Sequence, residues 1–425
     1  MAVHQSSSVN SPEILDHDLQ KYFPELLKYE STPEMESSVI YAEIKPQVER
    51  ILNAVVQENL SEPGAIATGF FIAGPKNPVA TAPGSDKKYP SPTKITAVAW
   101  NIERGCIFEG IIDALKNHEG LKNKDLLLLT ELDYGMARSG NRFVAREIAK
   151  EFKLNYAFAP VYIALQKGSG VESEMAGENT KSIHGLATFS KFPIKNAHAV
   201  PLPNGKDKMW GKEKRLGYLR ALIADVEHPS GIFRAVTVHL DAHCSRAHRY
   251  LQMKIILDHL DTLSPLPVII GGDWNTTTFN AQSARRAILG YWRRVMMGVK
   301  NVVKNHYPHP DRYFERKLFG ELEKRDYDYK NFNELGAGTI HYDVASIEKN
   351  TNLRDWVPEW CFPFIFWAAN RVGGRVSGRL DWFAGKGINL APGTEPQTFG
   401  DLVNSEGVPL SDHDAISLDF NLSKR

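Results

Sequence analysis

The chain has 425 residues, of which 42% are hydrophobic, 10% aromatic and 24% charged. These are the proportions of ordinary globular protein with room for two or three domains, and they exclude a mostly disordered or fibrous chain. Lys plus Arg number 51 and Asp plus Glu 50, a net charge of +1, which excludes a chain-wide electrostatic grip on nucleic acid or anionic lipid while leaving local patches open.

The opening MAVHQSSSVN has no basic stretch followed by an apolar run, so no secretory signal is expected. Cys106, Cys244 and Cys361 are too few and too scattered for a disulfide framework or a CxxC zinc site. The longest apolar cluster, around Phe362 to Ala369, is far short of the ~20 residues that span a bilayer. A reduced, cytoplasmic protein is the expectation.

Two short helical patterns come first. The clearer runs from Tyr41 to Leu60, with Ile44, Val48, Ile51, Leu52 and Val55 at helical spacing. Between Ser61 and Pro92 stand four Gly and six Pro, a composition that suits extended backbone rather than helix. Residues 1–92 therefore read as an N-terminal helical extension with a Gly/Pro-rich linker, and 93–425 as the main domain.

From Lys94 the pattern changes to strands alternating with helices. Strands are expected at Ile95–Trp100, Leu126–Glu131, Tyr156–Leu165, His184–Ser190, Leu219–Glu227, Phe233–His239, Val268–Asp273, Arg379–Ala384 and Ala415–Phe420. Amphipathic helices lie between them, one on Ala145, Ile148, Ala149 and Phe152, another on Met253, Ile256, Leu257 and Leu260. Runs such as Leu126–Leu129 and Val268–Ile270 are apolar throughout, as strands covered on both faces are, so the fold reads as layered α/β. Residues 285–370 interrupt it as an insertion. Its first part, 285–325, holds eleven Lys or Arg against four acids, and Trp356–Trp367 holds six aromatic residues.

The chemically suggestive residues stand at strand ends: Trp100-Asn101-Ile102-Glu103, Thr130-Glu131, His239-Leu240-Asp241, Gly272-Asp273-Trp274-Asn275, Leu380-Asp381-Trp382 and Ser411-Asp412-His413. Apolar strands that release carboxylates, Asn and His at one end place hard oxygen ligands and proton carriers on one rim. Such a rim suits Mg²⁺ and leaves room for a phosphate. Each motif alone is more often a solvated strand end, a turn or a cap; their number and order are the signal.

In that order the motifs resemble the endonuclease/exonuclease/phosphatase superfamily, the DNase I-like fold, over residues 95–420. The resemblance implies a four-layer α/β/β/α sandwich, two central mixed sheets flanked by helices. It implies metal-dependent phosphoester hydrolysis with Mg²⁺, for which Mn²⁺ can substitute. Glu131 would be the principal ligand, with Asn101, Glu103 and Asp412 around it. Asp273 would hold or deprotonate the attacking water, while Asn101, Asn275 and His239 would contact the phosphate. His413, hydrogen-bonded to Asp381, would face the phosphoryl group as its charge grows. The substrate expected is a phosphodiester of nuclease type, with phospholipid (sphingomyelinase-like) or inositol phosphate as the alternative on the same core. A catalytically silent binding module is the rival from another class.

Two local patterns admit competing readings. His239, Asp241, His243, Cys244 and His248 offer zinc-type ligands, but at spacing that fits a strand end and a loop better than a zinc site. The basic 285–325 segment reads as a nucleic-acid contact, as an interfacial helix at a membrane surface, or as a solvated structural helix. The aromatic cluster at 356–367 reads as packing rather than a base-stacking platform.

Overall fold

The computed structural model describes residues 9–60, 94–276, 284–343 and 359–423. The Gly/Pro-rich stretch and the start of the aromatic cluster lie outside the described residues. In chain order, β1 (Val9–Asn10) and β2 (Val55–Glu58) flank the N-terminal helices, and β3 (Lys94–Arg104) and β4 (Leu126–Tyr134) follow. Then come β5 (Asn155–Ala164), β6 (Ile183–Ser190), β7 (Ile194–Pro201), β8 (Arg215–Gly217) and β9 (Arg220–His228). The chain continues through β10 (Gly231–His239), β11 (Val268–Asp273), β12 (Ile340–Asp343) and β13 (Arg375–Gly378). It finishes with β14 (Asp381–Lys386), β15 (Ile388–Leu390), β16 (Gln397–Phe399) and β17 (Ala415–Leu422).

Ten strands form one mixed sheet, ordered β1-β2-β5-β6-β4-β3-β17-β15 with β8 and β16 at its margins. Five form the second, ordered β14-β11-β10-β9-β7. Strand alternation shows how the layers are built. Ala97, Ala99, Leu126 and Leu128 share a core with Ala235, Ile269 and Phe383, which closes the space between the sheets. The alternate residues Val98, Trp100, Leu127 and Leu129 bury instead against Ile111, Leu115 and Ile148 of outer helices. On the far side Val236 and Ile270 meet Met253, Ile256 and Leu257 of the Arg246–Thr262 helix. The result is the expected four-layer sandwich, and the all-apolar runs of β4 and β11 are those covered on both faces. A hydrogen bond of 2.6 Å between Thr188 and Thr237 joins the two sheets through their shared core.

The N-terminal residues depart from the sequence expectation. The helix covers Val39–Asn53, capped by the Ser38 hydroxyl, and ends before Val55. Val55–Glu58 leaves the helical path to pair with β5, Val56 opposite Phe158, where β-branched side chains suit a pleated edge. The buried Arg220 guanidinium secures this turn by donating to the carbonyls of Leu52 and Ala54. Residues 9–60 thus add two strands and a helix to the edge of the larger sheet.

Part of the basic 285–325 segment is structural. Leu318, Phe319 and Leu322 of the Arg316–Lys324 helix join the core of Trp274 and Trp382. Arg325 bonds to Asp258, Asp261 and Glu321, and Glu315 pairs with the buried Arg249 at 2.6 Å.

Candidate active site

Strand direction brings the motifs together. β3 and β4 are parallel, as are β10 and β11, so Asn101, Glu103, Glu131, His239 and Asp273 leave their strands at one end of the sandwich. β14 and β17 run antiparallel to those neighbours and start where the others finish. Asp381 therefore opens β14 directly opposite Asp273, and Asp412 and His413 arrive just ahead of β17. The sequence placed Asp381 inside a strand beginning at Arg379. Arg379 lies outside the ladder because its guanidinium is tied to the carbonyls of Glu334 and Ala337.

Local irregularities aim the side chains. β3 shifts register between Asn101 and Arg104, and β4 does so between Thr130 and Leu132. Glu103, Arg104, Glu131 and Asn275 adopt positive φ of 43°, 67°, 57° and 52°. Such backbone costs about 1–3 kcal/mol at each non-glycine residue, and bulges of this kind turn a side chain out of the pleat. Gly272, at φ 133°, lets β11 pass so close to Val238 that a Cβ would strike its carbonyl; this close approach sets Asp273 beside His239.

Asp273 sits at the centre. Its Oδ1 accepts the Asn275 backbone N–H at 2.9 Å, and its Oδ2 accepts from Asn101 Nδ2 at 3.2 Å and Asn275 Nδ2 at 3.1 Å. His239 Nε2 lies 3.5 Å from the same oxygen and 3.9 Å from Glu131 Oε1; His413 Nε2 lies 3.7 Å away on another side. Asn101 is 1% exposed and bridges Asp273 to Glu131, while its own carbonyl accepts the Glu103 N–H. It positions the carboxylates from behind. His413 Nδ1 donates to Asp381 Oδ2 at 2.8 Å, and the Asp381 backbone is held in turn by donating its N–H to the Thr339 hydroxyl at 3.1 Å. Ser411 and Trp100 anchor the His413 loop through hydrogen bonds to Asn101 O and His413 O.

Electrostatics divide the rim into unlike groups. Burial would raise the Glu131 carboxyl, but Arg104, then His239 and His184, hold it well below the usual carboxylate range. Burial, reinforced by Asp412, pushes Glu103 up to about 8. Asp273 and Asp412 are also raised, by burial first, with Asp381 adding to the first and Glu131 to the second. Burial opposes the charge on His413, yet Asp381, Asp273 and Asp412 raise its pKa well above the ordinary histidine value. His413 is thus an imidazolium at neutral pH.

This donor set fits a divalent cation. Glu103, Glu131 and Asp412 line the same cavity and raise one another's charge cost, with Glu103 Oε2 accepting the Asp412 N–H at 3.2 Å. Like charges forced together under burial are what a bound hard cation offsets. Asp273, Asp381 and His413 also place ligand-type atoms within 4.8 Å of one another. In the imidazolium form that its acidic neighbours favour, His413 offers no lone pair to a metal, so these three suit a hydrogen-bonded proton-carrying set beside the carboxylates.

Among the residues with zinc-type side chains, Asp241 accepts the N–H groups of Gly205 and His243, and His248 bonds to Pro203 O. Asp241 and His243 line the cavity beside His239, with the Asp241 carboxylate taken up by backbone N–H groups and Lys208. The sequence reading missed Arg104, which pairs with Glu172 at 2.9 Å, and the buried Arg138 behind it, bonded to Asp133, Glu172 and Glu213. Arg104 directly follows Glu103, so adjacency was its one signal; Arg138, in the short Ala137–Ser139 helical turn, and Glu213, in irregular chain, carry no pattern of their own.

The rim opens into a cavity of about 610 Å³. Glu103, Glu131, His239, Asp273, Asn275, Asp412 and His413 line it; Asn101 and Asp381 lie behind the lining. The 206–215 loop, with Lys206, Lys208, Lys212 and Arg215, brings positive charge to the same space.

These features agree with comparison to known proteins. The pattern of the endonuclease/exonuclease/phosphatase family matches residues 98–413, and the chain belongs to that family. No curated protein sequence matches it. Among solved structures, it is similar to an endonuclease/exonuclease/phosphatase from Beutenbergia cavernae DSM 12333. That match has 15% identity and a TM-score of 0.46, and covers 78% of this chain and 72% of the other. The human Nocturnin catalytic domain matches at 15% identity and a TM-score of 0.43, covering 78% and 95%. Truncated Caenorhabditis elegans TDP2 matches at 14% identity and 0.41, covering 78% and 98%.

Proposed function

We propose that the chain is a Mg²⁺-dependent phosphodiester hydrolase that uses an in-line water. The observation that carries this is the convergence of Glu131, Asp273, His239 and the Asp381–His413 pair on one rim, from five separate strand ends. A divalent cation held by Glu131, Glu103 and Asp412 would neutralise the non-bridging phosphate oxygens, and Mn²⁺ meets the same donor chemistry. Asp273, oriented by three N–H donors, holds the attacking water and takes its proton. His413 donates from Nε2 to a phosphoryl oxygen as negative charge builds there. His239 donates to the phosphate or to the leaving oxygen. Asn275 commits its amide N–H to Leu240 O and Asp273, so it serves by fixing Asp273.

A silent binding module is disfavoured because Asn101, Glu131, His239, Asp273, Asn275, Asp381, Asp412 and His413 are all present, where a degenerate copy would have lost at least one. Among the described residues no helix is long and apolar enough to cross a membrane. The three cysteines are unpaired, which suits the cytoplasmic placement we assign.

Turnover on nitrophenyl mono- and diesters, RNA, single-stranded and duplex DNA, sphingomyelin and an inositol phosphate tests this reading. Activity on at least one diester is expected in Mg²⁺, abolished by EDTA and restored by Mg²⁺ or Mn²⁺. Activity that survives thorough chelation would contradict the metal assignment.

A further inference from the structure

The cavity is chemically two-sided. One end is the carboxylate and histidine rim with the lysine-rich loop. The rest is walled by the insertion: Ile288, Tyr291 and Val295 of the Ala284–Met296 helix, Val299 and Val302 in the turns after it, and Ile365 of the Phe362–Asn370 helix, with a buried cation, Arg294, held over the Tyr307 and Phe314 rings. The two helices hold each other through the Tyr291 hydroxyl on Phe364 O and the Trp292–Phe364 ring contact at 5.8 Å. Spacing of three and four residues puts Ile288, Tyr291 and Val295 on one inner stripe of the helix, and Val299 and Val302 extend the lining beyond the break at Gly298.

The outer face of the Ala284–Met296 helix mixes apolar and basic residues. Leu289 is 70% exposed, Met296 80% and Trp292 44%, interleaved with exposed Arg285, Arg286 and Arg293. Trp360 and Trp367 are also exposed, at 62% and 45%, so this part of the aromatic cluster is surface and not the packing expected from sequence. A helix with an apolar inner side and an outer face that mixes Leu, Trp and Met with Arg suits a water–lipid boundary, where Trp and Arg are favoured.

We propose that the site takes a phosphodiester bearing a long alkyl chain, with the phosphate at the rim and the chain along the inner stripe of the insertion. This deepens the hydrolase reading and rests on it. A volume near 610 Å³ is that of a pocket enclosing an entire small ligand, far more than a phosphate needs. A nucleic-acid substrate would have to press sugar hydroxyls and base edges against Ile and Val side chains, leaving buried polar groups unpaired. An alkyl chain has no such groups, and its burial there is favourable at every methylene.

The test is calorimetric titration of the full chain in EDTA, where turnover does not intervene, with monomeric alkylphosphocholines carrying butyl, octyl and dodecyl chains. Affinity is expected to rise by up to about fourfold per added methylene until the wall ends. Val295→Asp should flatten this dependence, and Val295→Trp, which keeps the wall apolar but fills it, should end the rise at a shorter chain. Affinity that ignores chain length in the wild type overturns the proposal, as does an oligonucleotide that displaces the dodecyl ligand at lower concentration. Co-sedimentation with phosphatidylcholine vesicles, lost in Trp292→Glu, identifies a bilayer as the source of the chain. The chain-length gradient without sedimentation identifies a free amphiphile, and both results support the proposal. Turnover of methyl nitrophenyl phosphate in Mg²⁺, run alongside, reports on the hydrolase reading alone.

Discussion

Asp273→Asn is expected to lower turnover by ~10²–10⁴-fold while the protein stays folded. Asn keeps the volume and one acceptor, but it cannot take a proton from water. It also turns an amide N–H₂ toward the Asn101 and Asn275 donors, which now meet a carboxylate oxygen. The stability cost is small because the same change removes a buried charge that lies beside Asp381 and is held above its normal pKa. Turnover of the purified variant and its thermal melt check both halves. Wild-type turnover in a folded variant would leave the proton-acceptor role without support.

Asp381→Asn should be nearly as damaging, with a distinct pH signature. Asp381 is the largest of the charges that keep His413 protonated against burial. With it neutralised, burial prevails and the His413 pKa falls, so the imidazolium is lost as pH rises. The turnover deficit is expected to widen as pH rises, toward the ~10²–10⁴-fold typical of a lost proton carrier. The asparagine variant is the informative one. Asp381→Ala would strand a buried cation, which typically costs about 3–5 kcal/mol and confuses activity with folding. A deficit of the same size at every pH would show that the charge on His413 does not act in the reaction.

How legible the molecule was in its sequence depended on local pattern. β11 was read to the residue, because Val268–Ile270 is bounded by Pro267 before it and Gly271-Gly272 within it. β7 was not found. It is the edge of its sheet, exposes Lys195 and Asn196, and breaks alternation where its register shifts between Lys195 and His198. β2 was absorbed into a helix because Val55 continues the helical spacing; pairing with β5, a hundred residues away, decides otherwise.

The rim residues were legible because each follows an apolar run, and parallel strands must release their ends together. What could not be read was their mutual dependence. That Asn101 serves Asp273 and Glu131 from behind, that Arg104 holds Glu131 ionised, and that Thr339 steadies Asp381 are facts of long-range contact with no periodic trace. The insertion showed the converse. Its charge and aromatic content were plain, but whether those residues faced solvent, core or cavity required the fold.

Glu131 offers the most direct test, since it is the carboxylate held ionised at the centre of the proposed cation site. Wild type and Glu131→Gln, both stripped of metal, should be titrated with Mg²⁺ while hydrolysis of a nitrophenyl phosphodiester is followed. The wild type is expected to be silent without metal and to reach a plateau as Mg²⁺ is added; the variant, folded, is expected to need far more Mg²⁺ and to plateau much lower. Identical Mg²⁺ dependence in the two proteins would contradict the account.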